Sequence, residues 1–360
     1  MKIVWVSPFG DGWAIAYRLR EAGHKVVYVP LNGTRNGEGF LPRLDPAEHW
    51  QDYAKKADVT FVDATPASRR TRRSYEPSDL SLELARLRHF GVPLIGPTPT
   101  SELIQNDPRY FRKTMRRLGL LSDAGGVSSG TRAPHALGHL QRLFLSAGPF
   151  GQTALVVRAR RESTIADAVF PIAADHRGTA SLLGGLQGFL AEIGHSSYIN
   201  AEFVPVGEDL HVIRLILEPL YPACFHLLGD LLGTGLLASY PETYQASYQE
   251  PPRSLGLAVV LNRLQEEPDG PRDIPLNISG FFGAELHAAR QGQEPEIAEA
   301  HGLTLGALIG NDLRWSELTS KVQLEAERVS AQIGGCVPIF DGLNDIPALI
   351  QQFHPSLLDS

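Results

Sequence analysis

The sequence predicts an α/β protein. Its N-terminal domain is a doubly wound parallel sheet, followed by an α+β central domain and a strand-rich C-terminal domain. Three observations carry this. Up to about residue 100, short continuous apolar runs alternate with helix-period segments, the pattern of buried parallel strands joined by crossover helices. After about residue 120 the period changes and strand-type segments follow one another. Pro (26) and Gly (35) are both plentiful, which suits many turns between short strands.

In order, Lys2-Ile3-Val4-Trp5-Val6 reads as the first strand and Ser7 to Gly12 as a loop. Ala14, Ile15, Ala16, Leu19 and Ala22 fall at helical spacing over 13–22, and Gly23 is the stop. Val26–Val29 and Asp58–Asp63 are the next strands, and 79–90 is an amphipathic helix. Val92 to Ile95 forms a strand that ends in the turn Gly96-Pro97-Thr98, before a basic amphipathic helix around 110–117. In the central part, Ala154–Ala159 and Ile165–Ile172 are strands, 181–193 is a helix, and Tyr198–Pro205 pairs with Leu210–Ile216 around Gly207. Tyr244–Arg253 is polar and proline-bearing, as a linker would be. Beyond it the pattern predicts a helix over Leu255–Leu264, strands at Ile278–Phe282 and Leu303–Ile309, a helix near Trp315–Ala331 and a short final helix. The expected domains are 1–100, 101–250 and 251–360. No internal repeat or low-complexity tract interrupts them.

Composition narrows the function. A chain of 360 residues holds two or three domains, and 43% hydrophobic with 20% charged residues builds ordinary globular cores. A net charge of −7 gives no global pull toward nucleic acid or anionic membrane. Cys224 and Cys336 are the only cysteines, far apart, so two reduced thiols are expected and not a disulfide. The chain opens directly on a strand-type segment, not on a signal peptide, and carries no apolar run of membrane-spanning length. A cytoplasmic protein with no membrane partner is the expectation. The twelve histidines show no close pair with metal spacing. His211 and His226 sit in apolar strand contexts, as core or edge residues do. No nucleophile elbow and no Walker motif is present.

Four groups of residues could bind a ligand. Gly10-Asp11-Gly12 closes the first strand and opens a helix, where backbone N–H groups and the helix dipole favour an anion. The third glycine of a dinucleotide fingerprint is replaced by Ile15, so a plain tight turn is the competing reading. Arg69 and Arg70 belong to the cluster Ser68–Arg73, either a phosphate clamp at the carboxyl edge of the sheet or a solvated loop. Pro97 and Thr98 lie in the turn after the fourth parallel strand, where open α/β sheets place ligands. Arg109, Arg112, Lys113, Arg116 and Arg117 make one helix face basic, while Phe111, Met115 and Leu118 make the other apolar, as on a core-packed surface helix.

Gly91–Thr98 with its following helix, together with Ala22-Gly23-His24-Lys25-Val26, Val156–Ala159 and Ala201–Asp209, resembles the glycinamide ribonucleotide synthetase (phosphoribosylamine–glycine ligase) family. The resemblance follows the family's domain order over nearly the whole chain. It implies an ATP-grasp-like central domain, ATP and Mg2+ as cofactors, and small-molecule substrates. It implies that the Gly10–Gly12 loop, with Asp11, faces the phosphorylated amine. Arg158 stands where the family has a nucleotide-phosphate lysine. Asp107-Pro108 replaces a nucleotide-holding Ser-Lys pair, with Arg109 beside it as the substitute. Glu202 and Glu208 occupy the positions of carboxylates that meet the adenosine ribose. Tyr240–Gln245 echoes an Asp-Pro-Glu-Thr-Gln segment and makes Glu242 the candidate metal ligand. Asp345 survives from a phosphate-facing Tyr-Arg-Arg-Asp-Ile ending. The chain departs from the family at Arg160–Thr164, which lacks the glycines of a phosphate-covering loop, and at Leu231–Leu237, which carries no carboxylate where the family holds magnesium.

On this basis the expected activity is that of a ligase joining an amine, phosphorylated-sugar or nucleotide-like, to a small amino acid such as glycine through an acyl phosphate. Arg158, Glu202 and Glu242 would be its catalytic residues. The alternative is an amino-acid transferase that has dropped ATP and acts on a phosphorylated or pyrophosphorylated nucleotide or nucleic-acid base, as in DNA hypermodification, with nucleic acid as partner. A catalytically inactive binding protein is the third reading.

Overall fold

The computed structural model describes residues 1–120, 141–148, 153–161, 164–171, 177–206, 209–220, 255–262, 272–275, 285–286, 289–291, 297–300, 304–312 and 314–333, with 223 and 346, leaving out 11, 35–36, 46–47, 67 and 71–73.

The N-terminal sheet is built as its sequence predicts. Strands β1 (Lys2–Ser7), β2 (Lys25–Pro30) and β3 (Val59–Val62) and the two-residue β6 (Leu94–Ile95) form a parallel sheet in the order β2-β1-β3-β6. The connecting helices are α1 (Trp13–Glu21), α2 (Trp50–Ala54) and α3 (Asp79–His89), and a hairpin of β4 (Arg69–Arg70) and β5 (Tyr75–Glu76) precedes α3. Its strands are apolar on both faces because helices cover both, and Val4, Val6, Val29 and Val62 pack with Trp50, Leu84 and Leu87. The chain leaves β1 toward β2 and returns to β3 on the other side of β1. That reversal opens a crevice at the carboxyl ends of β1 and β3.

Helices α4 (Pro99–Asn106) and α5 (Pro108–Arg117) lead out of this sheet. Each starts with Pro just inside its first turn and a side-chain cap just before it, Thr98 for α4 and Asp107 for α5.

The larger sheet is antiparallel throughout. It contains β7 (Gln141–Ala147), β8 (Thr153–Arg161), β9 (Thr164–Pro171), β10 (Ile199–Val206), β11 (Asp209–Ile216), β12 (Leu255–Asn262), β14 (Glu285–Leu286) and β17 (Thr304–Asp312), in the order β11-β10-β7-β8-β9-β12-β17-β14. Strands β13 (Arg272–Pro275), β15 (Ala289–Gln291) and β16 (Ile297–Ala300) form a separate small sheet. Helices α6 (Arg177–Glu192) and α7 (Trp315–Ile333) complete the described elements. One face of the large sheet carries Leu143, Leu145, Leu155, Val157, Ala201 and Phe203 into a core with Leu186, Leu190, Leu318 and Val322 of α6 and α7, and with Met115 of α5.

One expectation is corrected. Leu255–Asn262 is a strand, not a helix, and it pairs β9 on one side and β17 on the other. Its apolar residues run continuously because both faces are buried, a pattern that periodicity alone does not separate from a buried helix. Through β12 the sheet continues across the boundary expected at 250. Among the described residues no helix is long and apolar enough to cross a membrane.

Candidate functional site

The crevice at the ends of β1 and β3 is already lined. Gly12 N–H donates to Ser7 Oγ (3.3 Å), which folds the turn back on the strand end. The Asp63 carboxylate, just past β3, accepts Trp5 Nε1–H at 2.8 Å and lies directly over Gly12, where an added Cβ would overlap its Oδ2. Gly10, at φ +79°, is likewise closed over by the methyl of Thr34. Both glycines thus admit close approach by the protein's own side chains. The carboxylate at the start of α1 also has the sign that the helix dipole favours there.

The turn after β6 is held from within. Arg88 donates to Pro97 O (2.7 Å) and Gly96 O (2.6 Å). Thr98 Oγ1 accepts Ser101 N–H at 3.1 Å while Ser101 Oγ accepts Thr98 N–H at 2.7 Å, a reciprocal cap. Pro97 and Thr98 are both buried.

The same region joins the two sheets. Ser196 Oγ donates to Leu94 O (2.8 Å), and Thr65 donates through N–H to Glu218 Oε2 and through Oγ1 to Leu217 O, both at 3.0 Å. Leu217 N–H donates to Gln105 Oε1 at 2.6 Å. His195 is buried in this seam and its Nε2–H donates to Tyr198 O (3.1 Å). Burial, with the Arg88 charge nearby, pushes its imidazole down to about 4, so it is neutral at physiological pH.

The second sheet presents its charged groups on the face opposite the core. Strand register sets Arg142, Arg158 and Asp167 side by side on β7, β8 and β9. One row along, it sets Arg214, Glu202 and Phe144 side by side on β11, β10 and β7. Arg158 Nε and Nη2 donate to Asp167 at 2.7 and 2.6 Å, a bidentate pair, and the guanidinium stands 5.6 Å from the Phe144 ring centre. Asp167 also accepts Ala223 N–H at 3.1 Å. Complete burial pushes the Asp167 carboxyl up, against the pull of Arg158 and that amide. Glu202 is raised by burial as well, with Arg142, Arg214 and Arg158 pulling it back. Arg142 comes within 3.6 Å of Glu202 and keeps half its side chain exposed (51%).

The remaining candidates divide. Arg69 and Arg70 are exposed on the hairpin, Arg69 at 3.9 Å from Asp79. Asn106 ties that hairpin's approach to α4 through Pro66 O (3.1 Å) and Ser68 Oγ (3.3 Å). Arg109 is exposed at the start of α5. Helix α5 buries Met115 and Thr114 and leaves Lys113, Arg116 and Arg117 outside, with Arg117 over Phe189 at 4.9 Å. Asp11, Glu208, Glu242 and Asp345 lie outside the described residues, as do Cys224, Cys336, His226, the 244–253 linker, the strand expected at 278–282 and most of the expected final helix. Sequence reasoning missed Asp63, Arg142, Asp167 and Arg214. A hint existed for Asp167, an acid inside an otherwise apolar strand.

This parallel sheet feeding a wide antiparallel sheet aligns over most of the chain with solved structures. The chain matches phosphoribosylamine–glycine ligase from Thermotoga maritima with a TM-score of 0.61 at 12% identity, covering 94% of this chain and 99% of that one. It has the ATP-grasp fold. Other structures of this fold also align over most of the chain. N5-carboxyaminoimidazole ribonucleotide synthetase from Thermotoga maritima gives 0.54 at 15% identity, covering 91% of this chain and 98% of that one. The biotin carboxylase subunit of pyruvate carboxylase gives 0.59 at 14%, covering 91% and 90%. No protein-family model and no curated protein sequence matches the chain.

ATP and Mg2+ are the cofactors this fold implies. The exposed Arg142 and Arg214 flanking Glu202 suit the oxygens of a polyphosphate and the hydroxyls of a ribose. For the metal, no group of three His, Cys, Asp or Glu comes together among the described residues.

Proposed function

We propose that this protein is an ATP-grasp ligase that joins a small amino acid such as glycine to an amine-bearing, phosphorylated or nucleotide-like substrate. The observation that carries the reading is the face of the antiparallel sheet beside the junction, where Arg142, Arg158 and Arg214 surround Glu202. Arg142 and Arg214 would hold phosphates and Glu202 a ribose hydroxyl. ATP, when bound, would supply the phosphoryl group that activates the amino-acid carboxylate. Three cations against two carboxylates give this face the sign that stabilises charge on a transferred phosphoryl. Arg158, fixed by Asp167, would act through its field and through its place beside Phe144.

The test is thermal unfolding with and without Mg-ATP, followed by an assay of ADP release that requires both glycine and an amine. A bound nucleotide raises the melting temperature by mass action. No shift at millimolar Mg-ATP would end the ligase reading.

A second reading has its own support. Arg158, the residue in the lysine position, already gives Nε and Nη2 to Asp167. In that reading the chain is an amino-acid transferase that needs no ATP and takes a phosphorylated or pyrophosphorylated nucleotide or nucleic-acid base. Salt-sensitive nucleic-acid binding without an Mg-ATP shift would favour it.

A further inference from the structure

Helix α5 differs from the other described helices in the sign of its charge. It holds no carboxylate, whereas each of the others holds at least one. Exposed cations elsewhere are paired: Arg86 of α3 lies 3.4 Å from Glu83, and Arg314 lies 3.1 Å from Glu317 at the start of α7. On α5, Arg109, Arg112, Lys113 and Arg116 stand three and four residues apart, so each has like charges as its helix neighbours. Such neighbours weaken a helix, and Arg109 adds a cation to the first turn, against the helix dipole. Among the described residues, Arg109, Arg112 and Lys113 form no ion pair with a carboxylate. The chain has 40 acidic against 33 basic residues, so composition does not account for a helix of one sign. A helix face that is merely solvated mixes its charges, whereas a block of one sign suits a partner of the other.

The other face of α5 is already occupied. Met115 and Thr114 are buried, and Tyr110, Phe111 and Leu118 pack against the core. No apolar face is left to enter a bilayer, which a membrane-surface helix needs. Arg109 to Arg116 spans about 10 Å along the helix axis, the axial length of about three phosphates of one DNA strand. At its amino end the helix meets the hairpin: Asn106 donates to Ser68 Oγ at 3.3 Å, and the next residues, Arg69 and Arg70, are exposed. Because Met115 joins the core on one face of the large sheet, α5 stands on the side away from Glu202.

We propose that α5, with the adjoining hairpin, binds the phosphodiester backbone of a nucleic acid. Contacts of this kind read charge and not sequence. The surface is separate from the arginine-lined face and goes beyond both readings of that face.

The test is fluorescence anisotropy on the full chain with a labelled random-sequence duplex and its single strand. Wild-type protein should bind, with affinity falling steeply between about 50 and 200 mM salt. Arg109→Gln with Lys113→Gln should weaken binding about ten-fold or more and reduce the duplex salt slope by about 0.9 for each cation removed. The melting temperature of that variant should not fall, since the change relieves like-charge neighbours. Arg109→Lys with Lys113→Arg should bind as wild type does, and Arg86→Gln, which removes an exposed cation elsewhere, should have little effect. No binding at about 50 mM salt, unchanged binding by the double Gln variant, or an equal loss with Arg86→Gln would overturn the proposal. Phosphatidylserine vesicles or polyglutamate bound as tightly as the nucleic acid would also overturn it, by assigning the face to a membrane or an acidic protein. The Mg-ATP melting shift on the same samples reports the ligase reading separately.

Discussion

The two sheets end in loops and faces that treat charge in opposite ways. At the parallel sheet, the glycine turn before α1 is covered by a carboxylate, Asp63, which the chain itself supplies. On the antiparallel sheet, three arginines surround two carboxylates, and Arg142 and Arg214 keep their side chains in reach of solvent. A glycine-bearing turn at a helix start invites an anion, but the anion that arrives can be a neighbouring side chain. The open cations lie elsewhere, on strands that carry no glycine signature.

The largest expected effect comes from unpairing the cationic face. Asp167→Leu removes the buried carboxylate that Arg158, 13% exposed, holds in a bidentate pair and should cost roughly 3–5 kcal/mol in urea unfolding. Arg158→Leu with Asp167→Leu should recover most of that, since two apolar residues need no partner. A single variant as stable as wild type would show that the pair does not form.

Next is the seam between the regions. His195 sits near 4 when folded against an ordinary 6.5, so below 6.5 the unfolded chain takes the proton first. The stability from neutral His195 is complete above pH 6.5 and falls away as pH drops toward 4, by about 3 kcal/mol in all. His195→Gln should flatten that part of the pH–stability curve, and an unchanged slope would assign the acid sensitivity to other groups.

Gly12→Ala forces a methyl group into Asp63 and the Trp5 indole and should cost on the order of 1–3 kcal/mol. Adding Asp63→Ala should restore part of it, and no coupling between the two positions would contradict the packing described.

The smallest effect bears most directly on the contrast. Arg142→Ala with Arg214→Ala should weaken inorganic triphosphate binding about ten-fold, whereas Asp63→Ala should leave it unchanged. Tighter triphosphate binding by Asp63→Ala would move the anion site back to the glycine turn.

The parallel sheet was legible because its signals are local. Val4, Val26, Phe61 and Leu94 lie in short apolar runs, and Gly23 takes a positive φ where the sequence places a stop. Leu255–Asn262 misled because Gly256 and Ala258 are as apolar as Leu255 and Leu257, so neither face announced itself. Glu202 and Arg158 were found as residues but not as partners. Arg158 meets Asp167 only because β8 and β9 pair in one register out of several.

By itself, then, the sequence determined the order of elements, the apolar strands and the stops and caps that bound them, since each depends on neighbours a few residues away. Tertiary structure alone decided which charge meets which: Asp63 over Gly12, Asp167 under Arg158, arginines around Glu202. Those meetings depend on strand register and on loops from distant segments, and electrostatic pairing at a few ångströms is set by geometry that no local pattern encodes.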